Sequence, residues 1–315
     1  MYIGIDIGGT SIKVGLVNKN GEIEYKSSFP VIKQEAQEIT IKKMCEFVLF
    51  IMQEHNLTKM DIEGIGIGCP GAINSEKGTC DSSPNLKWTN LPIVKMVKQY
   101  VGVNNVKISN DANVAALGEG KFGAGRKYNS SIMITLGTGV GGGVVIDRKL
   151  FEGNEGKGTE LGHSVIVIGG EPCGCGRKGC LEAYASATGL IRMTKEAMEQ
   201  HKDSLMWEYV HNDITAVDGK TAFETSKKGD AIAIQVVNKY CMYLSEGILN
   251  YINIFRPNAI ILGGGVCAQK DYLLDRLYEY IKYYNFGFKS CPEVDLVIAS
   301  LGNDAGIIGA ASLVM

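Results

Sequence analysis

The chain has 315 residues, 45% of them hydrophobic and 21% charged, a balance that excludes wholesale disorder and a length that favours two domains over one. Its 32 Lys and Arg against 34 Asp and Glu leave a formal net charge of −2, which offers no polybasic footprint to nucleic acid and no attraction to a membrane surface. Glycine is in excess, at 40 residues; without a collagen period this marks tight turns and backbone approached closely by a ligand.

Met1-Tyr2-Ile3-Gly4-Ile5 lacks a basic region and Asp6 interrupts it at once, so it does not read as a targeting segment. Ile3, Ile5 and Ile7 alternate, Gly8-Gly9-Thr10 turns the chain, and Ile12, Val14 and Leu16 alternate again, predicting two strands around a glycine turn. Asn20-Gly21 turns into a third strand over 22–28. Ile41, Met44, Cys45, Val48 and Met52 share one helical face and predict a helix over 35–54. A short strand over 62–68 ends at Cys69-Pro70-Gly71. Another over 106–109 leads into Asn110-Asp111-Ala112-Asn113 and an alanine-rich helix that Asn110 or Asp111 can cap.

A second strand–glycine–strand unit follows over 132–146, with Gly137-Thr138-Gly139 and Gly141-Gly142-Gly143 between its apolar segments. It echoes the opening unit and predicts two similarly built halves. The uncharged stretch over 128–146 is too short and polar to span a membrane. Ile234, Val237, Cys241, Leu244, Ile248 and Ile252 predict a long helix stopped before Pro257. A buried strand over 259–262 then ends at Gly263-Gly264-Gly265, followed by a helix over 273–284, a strand over 294–299 and a small-residue helix over 306–314. Alternating strands and helices predict an α/β architecture, with a domain boundary near residue 115.

His163, Cys173, Cys175 and Cys180 are spaced H-x9-C-x-C-x4-C. Three thiolates and one imidazole are a tetrahedral zinc set that leaves no open position, hence a structural site. The nine cysteines are odd in number and the others scattered, which fits a reducing cytoplasm better than a disulfide scaffold. Glu160 and Glu182 flank the ligands; with a spare imidazole N–H they form a polyol-binding set, or else are solvated loop residues. The turns at Gly8-Gly9-Thr10 and Gly137-Thr138-Gly139 expose backbone N–H groups and a hydroxyl to phosphate, though a single loop of this kind is more simply a hairpin. Asp6 beside the first turn is placed to hold Mg²⁺ through water. Asp111, at a strand end and helix start, is either a cap or a base that takes the proton of an attacking hydroxyl.

Taken in order, Asp6-Ile7-Gly8-Gly9-Thr10, Gly68-Cys69-Pro70-Gly71, Ser83-Pro84-Asn85-Leu86, Asn110-Asp111-Ala112-Asn113, Glu160-Leu161-Gly162-His163 and the run from Cys173 to Glu182 resemble the ROK family of bacterial sugar kinases, nearest its glucose-phosphorylating members. The resemblance implies an actin-like (ribonuclease H-like) α/β fold of two domains around a cleft. The domains would be residues 1–116, joined by the final helix at about 302–315, and residues 117–301 carrying the zinc loop. It implies Asp111 as catalytic base and Asn85, Asn110, Asp111, Glu160, His163 and Glu182 as sugar contacts. Asp6, Gly8, Gly9, Thr10, Lys13, Gly137, Thr138, Gly139, Gly141 and Gly142 would meet the nucleotide phosphates, and Gly263, Gly264 and Gly265 the adenosine. His163, Cys173, Cys175 and Cys180 would be the zinc ligands.

The activity so implied is transfer of the γ-phosphoryl group of ATP to the 6-hydroxyl of glucose, with Mg²⁺ and structural Zn²⁺, in a cytoplasmic homodimer binding neither nucleic acid nor membrane. An N-acetylhexosamine such as N-acetylmannosamine or N-acetylglucosamine is the alternative acceptor. A non-catalytic sugar-sensing regulator is the rival of another class, disfavoured by Asp6 near the start and by the lack of basic charge. One departure stands out: Lys157 and Thr159 precede Glu160 where many family members carry small or apolar residues.

Overall fold

A computed structural model describes residues 1–32, 34–287 and 290–315. Strands β1 (Tyr2–Ile7), β2 (Ser11–Val17) and β3 (Ile23–Pro30) form an antiparallel meander. Helix α1 (Gln37–Glu54) returns the chain to β4 (Gly64–Cys69), parallel to β1. A small antiparallel sheet of β5 (Ala72–Asn74), β6 (Thr79–Ser83) and β7 (Trp88–Leu91) follows. Then come α2 (Ile93–Val101), β8 (Val106–Asn110), parallel to β4, and α3 (Asp111–Phe122). The main sheet is ordered β3-β2-β1-β4-β8.

The echo in sequence becomes an echo in topology. Strands β9 (Ser131–Leu136), β10 (Val140–Ile146) and β11 (Lys149–Phe151) open a second sheet. The helices α4 (Glu182–Ala185), α5 (Ala187–Gln200), α6 (Leu205–Tyr209), α7 (Thr221–Lys227) and α8 (Ala231–Phe255) precede β12 (Ala259–Gly263). After α9 (Asp271–Tyr284) and β13 (Asp295–Ile298), the chain ends in α10 (Ala305–Ser312). The second sheet is ordered β11-β10-β9-β12-β13, the same plan as the first. The chain divides into two compact units, residues 1–132, 143–159 and 299–315 against residues 133–142 and 160–298.

In the first unit, alternation along β1 decides what covers each face of the sheet. Ile3, Ile5 and Ile7 are fully buried in one cluster with Ile41, Met44, Cys45, Val48 and Met52, the face of α1 expected from the sequence. Gly4 points the other way, towards α10: a Cβ there would lie 2.0 Å from Ile307 O, and one on Gly66 of β4 would lie 1.6 Å from Ala310 O. Only hydrogen at these positions lets helix backbone rest on strand backbone. Asp6 shares that side, its carboxyl carbon 2.7 Å from a would-be Cβ on Gly306.

The expected elements are present with ends shifted by a few residues, except that β10 starts at Val140, inside the glycine run. Residues 72–101, which hold three short strands and a helix, gave no periodic signal long enough to assign. Cys69, Cys241 and Cys267 are buried as expected; burial pushes the Cys241 and Cys267 thiols up to about 12, which suits packing and not nucleophilic chemistry.

Candidate functional site

The first unit carries one set of the expected residues. Gly8 N–H donates to Ser11 O at 2.9 Å, closing the β1–β2 turn, and a Cβ on Gly9 would meet nothing within 4 Å, so this backbone is open to a ligand. Lys13 Nζ donates to Asp6 Oδ2 at 3.0 Å, since the two are cross-strand partners in register. A phosphate approaching the turn would meet the ammonium of this pair. Asp6 offers the hard oxygen that Mg²⁺ takes.

At the C-terminal end of β8 the sheet hands over to α3. Asn110 is the helix N-cap, its Oδ1 accepting from Ala112 N at 2.9 Å and Asn113 N at 3.4 Å. Its Nδ2 donates to Gly71 O at 3.2 Å, tying the cap to the Cys69-Pro70-Gly71 turn. The capping role is therefore Asn110's, and Asp111 is the first helical residue. Asp111 is half-buried and its Oδ1 accepts from Ala112 N at 2.9 Å. Asn85 lies exposed in the turn between β6 and β7.

The second unit carries the rest. Ala187 N donates to Gly137 O and Thr188 Oγ1 to Thr138 O, both at 2.8 Å, docking the 137–139 turn on the start of α5. That start is capped by Ser186, which accepts from Gly189 N at 3.0 Å. Thr188 belongs to no recognisable motif in the sequence, although Ser186 before it announces the helix. Gly141 and Gly142 lie within β10, not in the turn. The turn at Gly263-Gly264-Gly265 packs beside the other: a Cβ on Gly264 would lie 2.4 Å from Leu136 O, one residue before Gly137.

Glu182 links the 137–139 turn to the cysteine cluster. Its Oε2 accepts from Val140 N at 3.1 Å, and its Oε1 lies 3.4 Å from Cys173 Sγ. An open concavity of about 550 Å³ runs between Thr138, Gly139, Cys173, Gly174, Glu182 and Arg192. Glu160 is exposed and opens the short turn that ends at His163, whose N–H donates to Glu160 O at 3.0 Å.

The ligand atoms of His163, Cys173, Cys175 and Cys180 all lie within 4.8 Å of one another. Cys175 and Cys180 Sγ are 3.7 Å apart, and Cys173 Sγ is 3.5 Å from His163 Nδ1. A tetrahedron with Zn–S of about 2.3 Å and Zn–N of about 2.0 Å has edges of about 3.8 and 3.5 Å, so the set fits zinc in chemistry and in size. With Nδ1 turned to the sulfurs, Nε2 is the ring nitrogen left for another partner. Burial holds Cys173 up at about 12 and raises Cys180, whereas the Arg177 backbone N–H lowers exposed Cys175. The loop between buries little of its apolar run: Val165, Ile166 and Val167 are half-buried and Ile168 is 97% exposed. Short bridges hold it, Val165 against Cys180 and Pro172 against Lys178.

Among the described residues no helix is long and apolar enough to cross a membrane. The glucokinase of Halalkalibacterium halodurans is 38% identical, over 99% of this chain and 94% of that protein. The glucokinase of Thermotoga maritima is 37% identical, over 99% and 96%. A ROK family glucokinase from Streptomyces griseus, solved in complex with glucose and AMPPNP, superposes with a TM-score of 0.80 at 33% identity over 99% of this chain and 98% of that one. The fold is thus the actin-like α/β fold of ROK sugar kinases. The ROK family model matches residues 2–315, and the chain belongs to the ROK family.

Proposed function

We propose that this chain is a hexose kinase that transfers the γ-phosphoryl group of ATP to the 6-hydroxyl of glucose, with Asp111 as general base. The observation that carries the reading is its likeness, over 99% of its length, to a glucokinase solved with glucose and AMPPNP. Phosphoryl transfer asks a protein mainly for positioning and charge neutralisation. Asn85, Asn110, Glu160, His163 and Glu182 hold the sugar hydroxyls, leaving the 6-hydroxyl to Asp111. Asp111 accepts its proton as the oxygen–phosphorus bond forms, a role worth about 10²–10⁴-fold.

The turn amides at Gly8-Gly9-Thr10 and Gly137-Thr138-Gly139, with Lys13, face the phosphates, and Gly263-Gly264-Gly265 the adenosine. Asp6 would hold Mg²⁺, which offsets phosphate charge when bound. His163 and the three cysteines would hold Zn²⁺, which fixes the loop carrying the sugar contacts.

The test is a coupled ADP-release assay over glucose, mannose, fructose, N-acetylglucosamine and N-acetylmannosamine, run on the wild type and on Asp111→Asn. Glucose should be turned over best. Asp111→Asn should bind glucose nearly as before while losing turnover by at least about a hundredfold. Preference for an N-acetylhexosamine replaces the acceptor, and undiminished turnover in Asp111→Asn removes the base.

A further inference from the structure

The departure at Lys157 and Thr159 lies on a loop that reaches Asp111 from both sides along the chain. The loop closes on itself through Gly158 N to Glu152 O at 2.6 Å. At one end Glu152 Oε1 accepts from Ser109 Oγ at 2.5 Å, and Ser109 is fully buried. At the other, Thr159 Oγ1 lies 2.7 Å from Gly158 O and 2.9 Å from Asn113 Oδ1, its one proton shared between the loop's own carbonyl and an Asn113 that is 2% exposed. Ser109 and Asn113 each stand two residues from Asp111. The middle is fastened to the small sheet by Lys157, whose Nζ lies 2.8 Å from Asp81 Oδ2 and 3.1 Å from Glu155 Oε2.

Thr159 has φ +62°, a conformation that is an outlier for a β-branched residue and persists only where the surroundings impose it. A glycine would sit there without strain; the threonine adds a hydroxyl within reach of Asn113. Its partner Asn113 belongs to the first turn of α3, the turn whose N–H groups receive Asn110 and Asp111.

We propose that residues 152–159 are a brace for the catalytic carboxyl group, with Glu152 and Thr159 as positioning residues that fix the strand end before Asp111 and the helix turn after it. This rests on the reading of Asp111 as base. A brace of this kind acts on the transition state through placement, where displacement by about 1 Å can cost up to 10²-fold.

The test is steady-state kinetics with glucose and ATP on the full chain, beside thermal unfolding. Glu152→Ala and Thr159→Val should each lower kcat about tenfold, with both KM values changed by less than about twofold. Glu152→Gln keeps an acceptor for Ser109 and Thr159→Ser keeps a hydroxyl for Asn113, so both should recover most of the rate. In an Asp111→Asn background no carboxylate remains to be held, and Glu152→Ala should change the residual rate by less than about twofold. Equal losses in both backgrounds, or lowered unfolding temperature with kcat unchanged, overturn the brace. Full turnover in Asp111→Asn alone sinks the base reading instead, a separate failure visible before any loop variant is made.

Discussion

Replacing Gly139 by Ala puts a methyl carbon 2.4 Å from Glu182 Oε2 and 3.2 Å from its Cδ. Ordinary contact needs about 3.5 Å, so the carboxylate must retreat by about 1 Å. The clashing atom is the end of a flexible side chain, so the fold absorbs the change. What is lost is the hydrogen bond from Val140 N to Oε2, worth about 1.5–3 kcal/mol to a charged acceptor and less here because Glu182 is only half-buried. Stability should fall by about 1 kcal/mol, read as a shifted urea midpoint. If Glu182 holds a sugar hydroxyl, kcat/KM for glucose should fall by about 10–100-fold, mostly through KM, while KM for ATP stays within about twofold. Gly137→Ala is the matched control: its Cβ meets nothing within 4 Å, so stability should change by less than about 0.5 kcal/mol, and any effect should fall on ATP. Measurement is by coupled ADP release with each substrate varied in turn. A Gly139→Ala enzyme whose kcat/KM for glucose stays within about twofold of wild type would refute the link between turn and sugar site.

Cys175→Ala removes one ligand from an exposed position and so disturbs little packing. Bound zinc, measured by atomic absorption, should fall from about one per chain to near zero, and KM for glucose should rise about 10-fold or more. Zinc loss at constant KM would show that the metal does not order the sugar contacts. Gly66→Ala places a Cβ 1.6 Å from Ala310 O, backbone that can yield only if α10 moves bodily. Overpacking of this kind costs about 1–3 kcal/mol or more, so the urea midpoint should drop clearly, whereas Gly9→Ala, with no neighbour within 4 Å, should leave it in place.

What the sequence made legible was local. The isoleucines of β1, the buried face of α1 and the H-x9-C-x-C-x4-C spacing are each contained in a short window, where period or ligand count decides the reading. The shared plan of the two sheets was visible for the same reason, as two similar strand–glycine–strand units. The illegible parts depend on distant partners. Nothing near Gly4 tells that α10 rests on it. Nothing near Glu182 tells that Val140, 42 residues away, donates to it. Glu119 is fully buried and accepts from Leu301 N at 2.7 Å, a pairing across 182 residues that composition would assign to the surface. Residues 72–101 escaped because their strands, three to five residues each, carry too few alternations to register a period.

The seating of α10 also dictates an order of events at the ribosome. The strands it covers are made within the first 69 residues, but residues 305–312 emerge roughly 240 residues later, on the order of 10–50 s at usual elongation rates. Through that interval the nascent first sheet shows water a bare, glycine-lined surface. Residues 133–142 and 160–298, by contrast, are all made before α10 and can fold before the first unit is finished. Maturation is therefore back to front, and a message truncated just short of codon 305 would yield a chain sound in its later half and unfinished in its earlier one.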